Sequence, residues 1–458
     1  MNTIQFPAGF RWGTATSSFQ IEGAAELRAP SIWDDFCLVP GAIADGSDGL
    51  VAVDHYNRYG EDVDLMASLH LDTYRFSVSW PRVINPDGST NAEGVGFYDR
   101  LVDRLCEAGI RPWLTLYHWD LPSYLPGAWL NRDTAQAFVD YTQRMHSALG
   151  DRVRVWTTLN EPWCASFLSY AGGAHAPGRT VAAEAYRAAH HLLLGHGWAV
   201  QALRAADPGA TLGLSLNFTP VYPADPTNPA DLDVVRRIDG TEHRVFTDPV
   251  FRGEYPIDVV ADAGSAWPDD LVRDGDLAAI SSPIDILGVN YYTSQLIRAG
   301  APSDAPTPHP AAPDAVVVDR PELARTDMGW EETPNAFRDL LVHLHRRYTG
   351  PAGIPMAITE NGSAVDDSLP EAGPIHDQRR IEYLANHLRA VHEAIELGAQ
   401  IDTYLVWSLI DNFEWAFGYA KRFGLVAVDD QLTRLPKASA HWFGELARTG
   451  TLCVPQPA

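Results

Sequence analysis

Two glutamates stand in short runs of like construction, Thr157-Thr158-Leu159-Asn160-Glu161-Pro162 and Ala357-Ile358-Thr359-Glu360-Asn361-Gly362. In each, β-prone residues lead into a carboxyl group that a breaker follows at once, which places the charge at a strand end and not on a solvated helix face. A long stretch of chain separates the two, so only tertiary folding can make them a pair. Paired, they suit acetal chemistry: one carboxylic acid protonates a leaving oxygen while a carboxylate opposite attacks, or stabilises, the sugar cation. Taken singly, each Glu reads as an exposed residue at a strand-to-loop junction and each neighbouring Asn as a turn former.

The elements that would bring them together are legible as short β-rich runs alternating with longer helical stretches. Eight strands are predicted: Phe10–Thr16, Thr73–Ser79, Pro112–His118, Val155–Asn160, Thr211–Asn217, Ile284–Asn290, Ile354–Glu360 and Thr403–Leu409. Spacing predicts helices over Asp62–Leu69, after a start near Asn57, and over Phe97–Ala108, Ala182–Ala206 and Arg379–Leu397. Strand then helix, repeated eight times, closes most simply as a (β/α)8 TIM barrel, read here as one domain over residues 1–458 with enlarged βα loops. Reactive side chains in such barrels come from the C-terminal ends of strands, and Glu161 and Glu360 end the fourth and seventh. The Pro- and Asp-rich segment Gly300–Thr326 discourages a packed element and is expected to be an exposed loop excursion near the barrel mouth.

Composition narrows the function classes. The 59 acidic and 34 basic residues leave a net charge of −25, which argues against nucleic acid or an anionic membrane as partner. No apolar run approaches the ~20 residues needed to cross a bilayer, and no secretory signal is visible, so a cytoplasmic protein is expected. Cys37, Cys106, Cys164 and Cys453 are widely spaced and read as reduced thiols, most of them core fillers. No zinc-protease, Walker or Rossmann pattern occurs. His190, His191 and His196 lack the i, i+4 spacing of a metal pair and read as helix-surface or satisfied core residues, so no metal or organic cofactor is expected. Homo-oligomerisation stays open.

With the strand order laid out, the sequence resembles glycoside hydrolase family 1, the retaining β-glucosidase family. The segments that carry the resemblance span nearly the whole chain: Phe10–Thr16 with Gln20-Ile21-Glu22-Gly23, Tyr74–Ser77 with Ser79–Arg82, Leu116–Pro122, Leu159–Pro162, Asn290-Tyr291-Tyr292, Ile358–Gly362, and Asp411–Trp415 continuing into Lys421–Leu425. A lone Asn-Glu-Pro is common; all of these in one order are specific.

The resemblance implies that Glu161 is the acid/base and Glu360 the nucleophile, with Arg75 and Tyr292 keeping Glu360 ionised. It further implies that Gln20, His118, Trp119, Asn160, Glu414 and Trp415 bind the hydroxyls of the nonreducing sugar, that Trp407 forms its hydrophobic floor, and that Asn290 and Phe423 belong to the same site. Asn160 would meet the 2-hydroxyl, and Asn217 and Trp330 would touch the leaving group at the entrance. Glu414 as a carboxylate would repel phosphate, which favours an unphosphorylated sugar. The expected substrate is a small β-glucoside or oligosaccharide such as cellobiose. Activity on β-galactosides or β-fucosides, or transfer of the glycosyl unit to an acceptor, are the alternatives, and a catalytically silent glycan-binding protein is the reading of another class.

Overall fold

The computed structural model describes residues 3–367 and 373–453. All eight expected strands form, and we number them β1 (Arg11–Ala15), β2 (Thr73–Ser77), β3 (Arg111–Tyr117), β4 (Val155–Asn160), β5 (Thr211–Asn217), β6 (Ile286–Asn290), β7 (Met356–Asn361) and β8 (Ile401–Trp407). They close into one barrel in sequence order, β8 returning to β1, with every neighbouring pair parallel. Side chains alternate across each strand. One set fills the lumen with Ala15, Trp113, Val155, Ile286, Ala357 and Leu405. The other, including Tyr74, Leu114, Trp156 and Tyr404, is buried beneath helices that supply Phe97, Leu101, Leu384 and Leu388. Burying side chains of this size stabilises by about 1.5–3 kcal/mol each before the entropy cost.

The expected helices are present, over His55–Ser68, Ala92–Glu107, Ala182–Ala206 and Gln378–Glu396. The second begins five residues ahead of the hydrophobic stripe because the Asn91 side chain accepts from the Glu93 backbone N–H and caps it. Gly288 admits no larger residue: a Cβ there would stand 2.3 Å from Ser215 Oγ and 2.8 Å from Thr359 Oγ1 in the lumen.

Two sequence expectations need correction. The 300–326 segment is not wholly irregular, because Ala315–Val318 pairs antiparallel with Gln295–Ala299, which in turn runs parallel to Val221–Pro223. Three consecutive valines outweigh the prolines around them. Of the cysteines only Cys164 is buried; Cys106 and Cys453 are exposed and Cys37 is half-buried. The histidines are core residues with separate partners, His190 with Asp276 and Tyr255, His191 with the Trp129 carbonyl and His196 with Thr158.

A buried ion cluster fixes the loops beyond β7 and β8. Asp367 pairs with Arg380 at 2.7 Å and with Lys437 at 2.6 Å, and Lys437 also reaches Asp411 at 2.9 Å. Asp411 accepts from the Gly424 backbone N–H. The β8 loop that carries Glu414, Trp415 and Phe423 is thereby tied to the β7 loop and to the helices Gln378–Glu396 and Ala438–Thr449. Among the described residues no helix is long and apolar enough to cross a membrane.

Candidate active site

Parallel pairing slips in register just before each of the two glutamates, between Thr157 and Asn160 on β4 and after Ile358 on β7. Such irregularities re-aim side chains that strict alternation would turn away. Glu161 itself adopts φ 45°, while its N–H donates to Ser215 O at 2.9 Å. Trp119 (φ 78°) and Trp415 (φ 47°) share that left-handed backbone, which costs about 1–3 kcal/mol at a residue with a side chain and persists only where its surroundings enforce it.

Both carboxyls enter one hydrogen-bond network at the barrel mouth. Arg75 Nη1 donates to Glu360 Oε1 at 2.7 Å and the Tyr292 hydroxyl to Glu360 Oε2 at 2.8 Å. The second guanidinium nitrogen of Arg75 donates to Asn160 Oδ1 at 2.6 Å. Asn290 Nδ2 bridges Asn160 Oδ1 (3.0 Å) and Glu161 Oε1 (2.8 Å), and the Cys164 thiol donates to Glu161 Oε2 at 3.1 Å. Glu161 is 6% exposed and Glu360 3%, so neither turns outward into bulk solvent.

A cavity of about 390 Å³ opens here. Of the residues singled out in the sequence, His118, Trp119, Glu161, Asn217, Asn290, Tyr292, Trp330, Glu360, Trp407, Glu414, Trp415 and Phe423 line it. Arg75 and Asn160 are buried directly against these lining residues, hydrogen-bonded to Glu360 and His118 respectively, and Gln20 stands behind them. Gln20 is fully buried: it accepts from Ser17 Oγ and donates to Asn412 Oδ1 and Phe413 O, which braces the backbone ahead of Glu414.

The electrostatics separate the two glutamates. Burial and the charge of Glu360 push Glu161 up to about 8. Burial also raises Glu360, but Arg75 and Tyr292 oppose it, so the proton that the pair shares belongs on Glu161. Glu414, buried beside both, is likewise pushed up to about 8. His118 is held well below its usual value, by burial first and by Arg75 second. Its Nε2 lies 3.0 Å from Asn160 Nδ2 and accepts from that amide, which leaves the proton on Nδ1. That N–H, like Glu414 Oε2, is buried with no partner among the described residues: a donor and an acid ready for hydroxyl groups. The His118 ring also stacks on Trp407 at 5.7 Å.

Buried donors and acceptors, flat aromatic walls and two carboxyls of unequal affinity for protons are what a pyranose and its acetal carbon require. The family model described as Glycosyl hydrolase family 1 matches residues 2–451. The chain belongs to this family. It is thus a glycoside hydrolase on a TIM barrel. It is 45% identical to the bifunctional beta-D-glucosidase/beta-D-fucosidase of Bifidobacterium breve, with 96% of this chain and 98% of that protein covered. A psychrophilic beta-glucosidase from Micrococcus antarcticus matches with TM-score 0.94 at 44% identity, over 98% of this chain and 100% of that one. The beta-glucosidase from Thermotoga maritima in complex with deoxynojirimycin matches with TM-score 0.90 at 39% identity, over 97% and 99%.

Sequence reasoning missed part of this family 1 hydrolase's cavity wall. Trp163, Cys164, His175, Phe218, Met328 and Phe417 also line it. Trp163 and Cys164 directly follow Glu161-Pro162, and that adjacency was the available signal. The others come from loops whose path has no local signature.

Proposed function

We propose that this family 1 hydrolase is a retaining β-glucosidase that removes terminal nonreducing β-D-glucosyl residues from uncharged β-glucosides, cellobiose among them, by way of a covalent glycosyl-enzyme. One observation carries the reading: two buried carboxyls at the ends of β4 and β7 belong to one hydrogen-bond network, and of the two, among the described residues, Glu360 is the one with a cation and a phenol in contact. We read the chain as one catalytic domain. Its four cysteines are free thiols, in keeping with a reducing, cytoplasmic setting.

In the first step a Glu360 oxygen bonds to the anomeric carbon as the bond to the aglycone oxygen breaks, and the Glu161 proton passes to that oxygen. Esterification removes the Glu360 charge, and with it the repulsion that had favoured protonated Glu161. The Glu161 carboxylate then takes a proton from water, whose oxygen bonds to the same carbon while Glu360 departs as carboxylate. Two inversions give net retention. Asn160 keeps one Nδ2–H for the 2-hydroxyl, His118 offers Nδ1–H, and Glu414 and the indole of Trp415 take further hydroxyls over the Trp407 floor. Gln20 holds the Glu414 loop from behind, and Asn217 and Trp330 flank the leaving group.

Rejection of phosphorylated sugars rests on more than Glu414, because an acid near 8 carries little charge at neutrality. Among the described residues the cavity lining holds no Lys or Arg to receive a phosphate. Three relatives' names include beta-glucosidase, one of them with beta-D-fucosidase beside it, which supports glucosides as the main substrates. Two digestions test the reading, one of 4-nitrophenyl β-D-glucoside with the product anomer followed by NMR, the other of cellobiose with glucose release measured: β-glucose should appear first from the aryl glucoside. Initial α-glucose from the aryl glucoside would exclude retention, and no glucose from either substrate would exclude the activity.

A further inference from the structure

The excursion at 300–326 takes no part in the chemistry above, yet it reaches the cavity wall. His309 lays its ring on Trp163, with centroids 5.4 Å apart and planes inclined by 27°. Trp163 lies two residues beyond Glu161, lines the cavity and is 8% exposed, and its indole N–H is buried without a partner among the described residues. Because the acid must deliver its proton to the departing oxygen, the wall beside Glu161 is the one the aglycone meets. The Trp163 indole therefore offers that aglycone a flat face and an unused donor, and His309 supports it from behind.

The support is itself anchored. Arg237 donates to both carboxylate oxygens of Asp314 at 2.8 Å and to Ala311 O at 2.7 Å. Ala312 is buried with Val234, Ile238 and Ile297, and the Ala312 N–H donates to His309 O at 2.9 Å. His309 Nε2 also lies 3.8 Å from Glu242 Oε2. Glu242 is buried and hydrogen-bonds Thr219, which also lines the cavity. Burial holds the imidazole down to about 4, so the face against Trp163 is a neutral ring at working pH.

We propose that His309 is a positioning residue for the aglycone: by fixing the tilt of the Trp163 ring it makes the excursion a determinant of leaving-group preference. The proposal rests on the glucosidase reading given above. Its logic is kinetic. The aglycone has left before the glycosyl-enzyme is hydrolysed, so a residue acting only through the aglycone wall changes the first step and leaves the second untouched.

The test compares cellobiose, a poor leaving group that depends on alignment, with 2,4-dinitrophenyl β-D-glucoside, whose activated leaving group makes the second step limiting. His309→Ala should lower kcat/KM for cellobiose about tenfold, the scale on which small misplacements act, while kcat on the activated substrate stays within about twofold. His309→Phe, which keeps a flat ring against Trp163, should recover cellobiose to within about threefold of the parent enzyme. The activated substrate reports the folded fraction of each variant, so misfolding cannot imitate the effect: equal losses on both substrates, or no loss on cellobiose, overturn the proposal. A parent enzyme that cleaves neither substrate removes the underlying reading, and the proposal with it, before any variant is made.

Discussion

At the end of β7 the carboxyl of Glu360 meets a guanidinium and a phenol, whereas at the end of β4 that of Glu161 meets an amide and a thiol. Both strand ends slip in register just before the glutamate and bury it almost completely, although of the two only Glu161 takes the left-handed backbone. The difference in proton affinity therefore does not reside in residue type or depth. It resides in which side chains lean over from the neighbouring strands. Arg75 on β2 and Tyr292 beyond β6 favour negative charge at one end, and among the described residues no cation pairs with the other, which feels Arg75 only as a lesser, more distant charge.

The harshest way to break the comparison is to delete the charged end. Glu360→Ala should lower kcat by about 10⁵-fold or more, as loss of a covalent nucleophile does. A small external anion such as azide should restore part of the rate and give a product of inverted configuration, and a variant with parental turnover would remove Glu360 from the mechanism. Glu161→Gln should cost about 10³-fold on cellobiose and far less on 2,4-dinitrophenyl β-D-glucoside, because only the former needs a proton. Equal losses on the two would count against Glu161 as the acid.

Removing the cation would make the two ends resemble one another. Arg75→Met leaves Glu360 and Asn160 Oδ1 without their charged partner in a buried site, at a cost of about 3–5 kcal/mol of stability. The loss should register as a lower Tm, and the acidic limb of the pH profile should move to higher pH as Glu360 becomes harder to ionise. An unchanged acidic limb would show that Arg75 does not hold the charge of the nucleophile.

The pH profile of the parent enzyme tests the other end. The acid must carry its proton, so kcat/KM should be present below, and lost as the pH rises through, about 8. Glu161→Gln should abolish that basic limb for activated substrates. The smallest effect is expected of Cys164→Ala. Its thiol donates to Glu161 Oε2 and so favours the ionised form, and its loss should move the basic limb upward by a few tenths of a unit without altering the acidic one. A downward shift would mean that the thiol does not act as the donor.

Much of this was legible in sequence because local patterns repeat. All eight barrel strands follow from β-prone runs between helical stretches, and Glu161 and Glu360 stand out as carboxyls stopped by breakers. The strand at Ala315–Val318 was hidden by the prolines around it, since its pairing with Gln295–Ala299 is a nonlocal fact. Cysteine exposure likewise depends on which face of the Ala92–Glu107 helix, or which terminal strand, a residue falls upon. Gln20 reads as a strand-end amide, but its donors and acceptor are consumed by Ser17, Asn412 and Phe413, and only coordinates show that it stands behind the cavity wall.

By itself the sequence determined the barrel, the order of its strands and the identity of two acids at strand ends, because periodicity and breaker residues act over a few neighbouring positions. Tertiary structure alone decided that the two acids meet, that slips in register aim them inward, and that Arg75 falls beside one and Cys164 beside the other. Proton affinity is set by groups within a few ångströms, whatever their distance along the chain, and those distances exist only once the strands have closed into a ring.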